Sequence, residues 1–406
     1  MIDFEFEPQT QKRIQLYHTV AEQMMRPISR EYDEREHEKP WDFINAMWAA
    51  TTAPGGDPMG GGDGGQGGPR MRNLYTVATT EELCWGDAGL FLSIPNAGLG
   101  GAAVGAAGTP EQKQRFLAPF RSGPPKWGAM AITEPGCGSD SAAITTTATR
   151  DGDHWVINGT KIFCTSGWMA AEKSEGFVVV WATVDKSAGR AGIKPFVIEH
   201  GTPGMSVVRL EKKLGIRVSD TAAIVFDNCR IPADHLLGSP EVKRDRGGFK
   251  DVMATFDATR PIVAAMAIGV GRAALDFVRD FLGEQKVEIR YGLSPRRLSA
   301  IERDFMEMEV QLKAARLLTW RAAWMLDAGM RNNLEASMAK AKAGLAVTQI
   351  TQKAVEMLGP LGYSRRYLVE KWMRDAKIND IFEGTQQINL LIVARRILNY
   401  SSKELN

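Results

Sequence analysis

Glu383-Gly384-Thr385 is the segment of this chain best suited to moving a proton. It stands between the apolar pair Ile381-Phe382 and a run of helical spacing that begins at Gln386. The Thr385 hydroxyl suits the N-cap of that helix. Glu383 then falls just ahead of a helix N-terminus, where unpaired N–H groups and the dipole favour negative charge. A carboxylate and main-chain donors would share one small site. In an apolar pocket the carboxylate gains a pKa fit for proton abstraction, and the N–H groups steady an enolate-like oxygen. A capping or solvated glutamate satisfies the same local sequence.

Two other segments carry chemistry of a binding kind. Residues 131–140, AITEPGCGSD, combine glycines with hydroxyls, so that main-chain N–H groups can approach an anionic or carbonyl group closely. A plain Pro-Gly turn also explains them. Phe163 and Thr165 are two apart in a β-rich run and should project from one face, an aromatic ring beside a hydroxyl. That pair suits a flat heteroaromatic ligand, as it also suits an ordinary half-buried strand. Lys243, Arg244 and Arg246 can meet the phosphates of a bulky anion, or form a solvated loop. His18, His37, His154, His200 and His235 have no ligand spacing, and no metal is expected. Neither a Gly-x-Ser-x-Gly elbow nor a Walker loop occurs, so serine-hydrolase and NTPase chemistry fall away.

The elements that must position these residues fall into three blocks, expected at 1–127, 128–242 and 243–406. The first is helical, with Ile14, Leu16, Tyr17, Val20, Met24, Ile28 and Tyr32 at helical spacing and further helix over 74–108 and 110–120. Residues 55–68 are mostly glycine and read as a surface loop. The second is β-rich over 154–163, 177–185, 194–200, 205–209 and 222–231, with Asn158-Gly159 predicting a tight hairpin turn. The third is helical over 260–281, 299–328, 333–358, 367–376 and 386–399. Segregated blocks indicate an α+β multidomain protein and argue against a doubly wound sheet.

Composition narrows the partners. Fifty basic residues nearly cancel 48 acidic ones, and a formal charge of +2 gives no field for nucleic acid or a membrane surface. The four cysteines, Cys84, Cys137, Cys164 and Cys229, lie far apart, which fits a reducing cytoplasm better than a disulfide framework. The acidic start MIDFEFEPQ lacks the pattern of a signal peptide, and the apolar stretch 262–270 is too short for membrane insertion.

Taken together, five ordered motifs resemble the acyl-CoA dehydrogenase family from about residue 4 to residue 398. They are AITEPGCGSD at 131–140, NGTKIFCTSG at 158–167, LGIRVSDTAAIVFDNCRIP at 214–232, FDATRPIVAAMAIGVGRAALD at 256–276 and WMRDAKINDIFEGTQQIN at 372–389. The resemblance implies an N-terminal all-α domain, a central β-barrel and a C-terminal four-helix bundle, with FAD between the last two. It implies FAD contacts at Thr133, Ser139, Phe163, Thr165, Thr385 and Gln387, Thr165 approaching N5. It places substrate contacts at Ser139, Arg260 and Gly384, and the catalytic base of the medium-chain-like branch at Glu383. The implied reaction belongs to fatty acid β-oxidation: Glu383 removes the α-proton of an acyl-CoA thioester, flavin N5 takes the β-hydride, and a trans-2-enoyl-CoA forms. Electrons would pass to an electron-transfer flavoprotein. An acyl-CoA oxidase and a non-catalytic partner subunit are the alternatives.

The chain departs from the family pattern in one region. After Ala274-Leu275-Asp276 the family has an arginine, then Lys-x-Phe-Gly and a glutamine, which reach the FAD of a neighbouring subunit. Here the stretch is longer, with Gln285 at the arginine position and Ser299 at the glutamine position. Glu356-Met357-Leu358-Gly359-Pro360 replaces Gln-x-x-Gly-Gly, and Leu390 replaces another arginine. A homotetramer, or an α2β2 assembly in which a paralogous subunit supplies the arginine, are the expected assemblies; Arg290, Arg296 or Arg297 are the local substitutes.

Overall fold

Helix-forming sequence fills both ends of the chain, and the computed structural model, which describes residues 5–53, 71–242, 249–400 and 404, places α-helix there. The glycine-rich 55–68 and the basic Lys243, Arg244 and Arg246 lie outside the described residues. The first block contains α1 (Pro8–Val20), α2 (Arg26–Glu34), α3 (Trp41–Thr52), α4 (Arg72–Gly86), α5 (Ala88–Ser93), α6 (Gly98–Ala107) and α7 (Pro110–Leu117). The helical stretch expected over 74–108 is therefore three helices. Asp87 leaves helical geometry and caps α5 by accepting from Leu90 N at 2.8 Å. Pro95 then forces Ile94 into an extended conformation.

The middle block holds β1 (Gly128–Ala131), β2 (Thr147–Asp151), β3 (His154–Thr165), β4 (Phe177–Thr183), β5 (Ile193–Glu199), β6 (Met205–Leu210) and β7 (Thr221–Pro232). They form one curled sheet in the order β1-β4-β2-β3-β7-β6, with β5 on the far side of β4. Alternation along β4 sorts its side chains between two cores. Phe177, Val179 and Trp181 pack with Ala103, Val104 and Phe116 of α6 and α7. Val178, Val180 and Ala182 face Ile157, Ile224 and Phe226 inside the curl.

The expected turn at Asn158-Gly159 is not there. β3 runs straight through it with a register shift between Ile157 and Gly159, and Asn158 Oδ1 accepts from Asn228 N at 2.7 Å. Glycine is required at 159 because a Cβ would lie 2.4 Å from Thr146 Oγ1. The reversal comes earlier, where Asp151 pairs with His154 across Gly152, whose φ is +60°. A bulge and a hairpin ask for the same permissive residues, and only strand pairing tells them apart.

The last block comprises α8 (Phe249–Glu284), α9 (Ala300–Asp327), α10 (Asn333–Leu358), α11 (Pro360–Tyr363), α12 (Val369–Ala376) and α13 (Gln386–Ile397). Its core joins Ala273, Phe305, Leu312, Val347 and Trp372. The segment Thr255–Glu284 is long and apolar enough to cross a membrane, but 72% of its apolar window is buried inside the fold, which makes it a core helix. Pro261 removes one N–H from α8, and the Asp257 carbonyl left over accepts from Asn332 Nδ2 at 3.5 Å.

A buried ionic cluster locks the three blocks together. Lys371 Nζ of α12 lies 2.6 Å from Asp87 Oδ2 and 2.5 Å from Asp375 Oδ2. Asp375 Oδ1 accepts from Ile216 N, in the loop before β7, at 2.5 Å. Burial opposes the Lys371 charge, but the two carboxylates outweigh it and hold its pKa above the usual lysine range.

Candidate active site

The segment 131–140 is held against β3 by a buried ion pair. Glu134 and Lys161 are 4% and 0% exposed, and Lys161 Nζ lies 2.8 Å from Glu134 Oε1. Lys161 also donates to the Ile132 carbonyl at 3.1 Å. The same carboxylate accepts from the N–H and hydroxyl of both Thr145 and Thr146 at 2.6–2.9 Å. Burial pushes the Glu134 pKa up, but Lys161, Thr146 and Thr145 outweigh it and bring it down to about 2. Thr133 is fixed in turn, its carbonyl accepting from Ile162 N at 2.9 Å. Beyond it the loop is open: Ser139 is exposed, and a side chain at Gly136 or Gly138 would meet nothing within 4 Å.

Phe163, next to the Ile162 N–H that holds Thr133, does not sit in regular strand geometry. A register shift falls between Lys161 and Cys164, and Phe163 has φ +57°, in the left-handed region. The simple rule that puts residues two apart on one face does not hold across that shift. Phe163 is 59% exposed, while Thr165 is half-buried and paired with Thr221. A large ring left open on a backbone costing about 1–2 kcal/mol marks a surface shaped for a ligand. An exposed ring, a neighbouring hydroxyl and an open main-chain loop fit a flat heteroaromatic group with a polar tail.

The second half of the site forms around Glu383. Thr385 caps α13 as the sequence suggested, its Oγ1 accepting from Ile388 N at 3.3 Å. Glu383 and Gly384 precede it with φ +56° and +84°, a tight left-handed pair that turns the glutamate back onto α8. There Thr259 Oγ1 lies 3.0 Å from Glu383 Oε2. Burial pushes the Glu383 pKa above the usual carboxylate range, opposed by the Thr259 hydrogen bond and by the charges of Arg260 and Lys340. Thr259 Oγ1 is also 3.2 Å from the Thr255 carbonyl, so its single proton serves one acceptor at a time. It donates to ionised Glu383, and can turn to Thr255 when Glu383 carries a proton.

Arg260, 3% exposed, pairs with Asp257 Oδ1 at 2.9 Å and reaches Ser337 Oγ at 3.4 Å. Phe256, one turn earlier on α8, joins the halves, packing with Ile132 and Cys137 against one core while its ring lies 5.9 Å from the Arg260 guanidinium carbon. Gln387 is exposed on the first turn of α13. Among the described residues no hydrogen bond links Thr385 or Gln387 to the group around Thr133 and Phe163. Nor is any group of three or more His, Cys, Asp or Glu placed to hold a metal.

Thr259, Lys340, Asn389 and the Glu134–Lys161 pair were not singled out from sequence. Lys340 had a signal: it stands on the stripe Ala336, Ala343 and Val347, where α10 should be apolar. In the long connection after α8, Arg290 is bound by Glu302, with Nε–Oε1 and Nη2–Oε2 both 2.8 Å. Ser299 and Glu302 form the capping box of α9. Arg290, though exposed, is thus committed to its own loop; Arg296, Arg297 and Gln285 are exposed as well.

Helical, curled-sheet and helical parts in this order, with a glutamate turned inward just ahead of a helix N-terminus, make up a three-domain fold. The chain belongs to the acyl-CoA dehydrogenase family: the family's N-terminal, middle and C-terminal domain models match residues 8–124, 129–229 and 246–398. It is 34% identical over 396 residues to a short-chain specific acyl-CoA dehydrogenase of Clostridium acetobutylicum, covering 98% of this chain and 100% of that one. It is 41% identical over 326 residues to the mitochondrial short-chain specific enzyme of Bos taurus, covering 80% and 75%. The solved structure of butyryl-CoA dehydrogenase from Megasphaera elsdenii superposes with a TM-score of 0.84 at 33% identity, covering 98% and 100%.

Proposed function

We propose that this chain desaturates a short acyl-CoA thioester between its α and β carbons, with Glu383 as the base. The observation that carries the reading is the desolvated Glu383 carboxyl, 3.0 Å from the Thr259 hydroxyl and turned inward by two left-handed residues. Its raised pKa makes it a stronger base than a solvated glutamate. The thioester carbonyl accepts from the Glu383 N–H, which acidifies the α-carbon, and Glu383 takes the α-proton. The chemistry that FAD supplies when bound is acceptance of the β-hydrogen with its electron pair. Phe163 would pack against the flat ring of that group, and Thr133, Ser139, Thr165, Thr385 and Gln387 would hold its polar parts. Ser139, Arg260 and Gly384 line the substrate's path. Short substrates follow from the names of the relatives.

The reading extends to domain divisions at 1–127, 128–242 and 243–406. An electron-transfer flavoprotein is the proposed acceptor. The proposed assembly is a homotetramer or an α2β2 pairing with a paralogue that supplies the arginine missing at Gln285. Four buried free thiols suit a reducing cytoplasm. The visible spectrum of the purified protein, recorded anaerobically before and after butyryl-CoA, is the test. A yellow protein bleached by the thioester, with bleaching lost in Glu383→Gln, supports the reading; full bleaching in that variant refutes the base.

A further inference from the structure

The carbonyl of Gly384 is the meeting point of two buried donors. Lys340 Nζ lies 2.6 Å from it and Asn389 Nδ2 2.9 Å. Lys340 is 1% exposed and Asn389 0%. Among the described residues the Lys340 ammonium forms no ion pair within 4.0 Å, so a buried charge is spent on a neutral main-chain oxygen. That oxygen belongs to the residue after the base, in the pair whose left-handed φ values aim Glu383 at Thr259.

We propose that Lys340 is a positioning residue for the base: its ammonium fixes the Gly384 carbonyl, and with it the inward turn of Glu383, and places a positive charge beside the carboxylate. The proposal rests on the reading of Glu383 as base. Asn389 takes the second lone pair of the same oxygen and also bonds the Thr385 carbonyl at 3.0 Å, tying the turn to α13. The charged groups around the pair come from several elements. α8 contributes Thr259 and Arg260, the latter paired with Asp257. The turn before α13 contributes Asp380, bonded by the Thr348 hydroxyl at 3.0 Å and Lys377 at 2.9 Å. Burial lowers the Lys340 pKa to about 8, against the pull of Glu383 and Asp380, so the lysine is still mostly charged at neutral pH.

The experiment measures kcat and KM for butyryl-CoA against pH in flavin-loaded wild type, K340M, K340R and E383Q, each rate normalised to bound flavin. Loss of the ammonium removes an influence that lowers the Glu383 pKa, so the acid limb of kcat/KM in K340M should move up by about one pH unit. At neutral pH kcat should fall about tenfold or more with KM changed less than twofold, and K340R should restore both. K340Q, which keeps a donor and drops the charge, carries the same test if K340M does not load flavin. An unmoved acid limb, or a loss explained wholly by flavin content, overturns the proposal while E383Q remains inactive. Activity surviving in E383Q overturns the base assignment, and this proposal with it.

Discussion

Replacing Glu134 with Gln tests whether the loop carrying Thr133 is held by charge. In the native state burial works against ionised Glu134, but Lys161, Thr146 and Thr145 bring its pKa from 4.5 to about 2. A carboxylate depressed in this way stabilises the fold above its unfolded pKa and loses that contribution as pH falls toward the folded one. The shift corresponds to about 3 kcal/mol at pH 7 and about 1.5 kcal/mol at pH 3. With unfolding entropy scaled to 406 residues, about 3 kcal/mol is a fall of about 4 °C in Tm if the chain unfolds as one unit. Gln also leaves the Lys161 ammonium buried without its counter-ion, which adds to the loss. Urea midpoints and thermal melts of E134Q and wild type, at pH 7 and pH 3, measure the difference. It should be largest at pH 7 and shrink by about half at pH 3, and flavin should be released below the melting range. A difference that does not change with pH, or a variant as stable as wild type at pH 7, refutes the reasoning. E134Q/K161M, which removes both partners, should recover part of the loss.

Other expectations follow from the same geometry. Thr259→Val removes a hydrogen bond that lowers the Glu383 pKa, so the acid limb of kcat/KM should shift to higher pH, read from a rate profile between pH 5 and 9. Phe163→Gly relieves a left-handed backbone while deleting the exposed ring. Its flavin-free form should melt no lower than wild type, yet flavin titration should give at least about tenfold weaker binding. Lys371→Met leaves Asp87 and Asp375 facing each other in the interior without their cation, and should cost about 3–5 kcal/mol in denaturant unfolding.

Much of this protein was legible before folding because local signals agreed. Helical spacing located the bundle, with 333–358 matching α10 to the residue, and Thr385 capped α13 as its position suggested. The order of the motifs placed the chain in its family and named Glu383. Where one signal served two structures, sequence could not choose. Asn158-Gly159 reads equally as a turn or a bulge, and the pairing of β3 with β7 made it a bulge. Phe163 falls in a register shift of β3 with a positive φ and an exposed ring, local geometry that strand alternation alone does not foretell. Other features depend on residues far apart in the chain: Lys340 is 44 residues from the carbonyl it binds, and Thr259 lies 124 from Glu383. Residue type and spacing thus determined the elements and the family, and singled out Glu383 as the proposed base. Which hydroxyl and which ammonium surround that base was decided by helix packing, since burial and Coulomb energy depend on distance in space rather than along the chain.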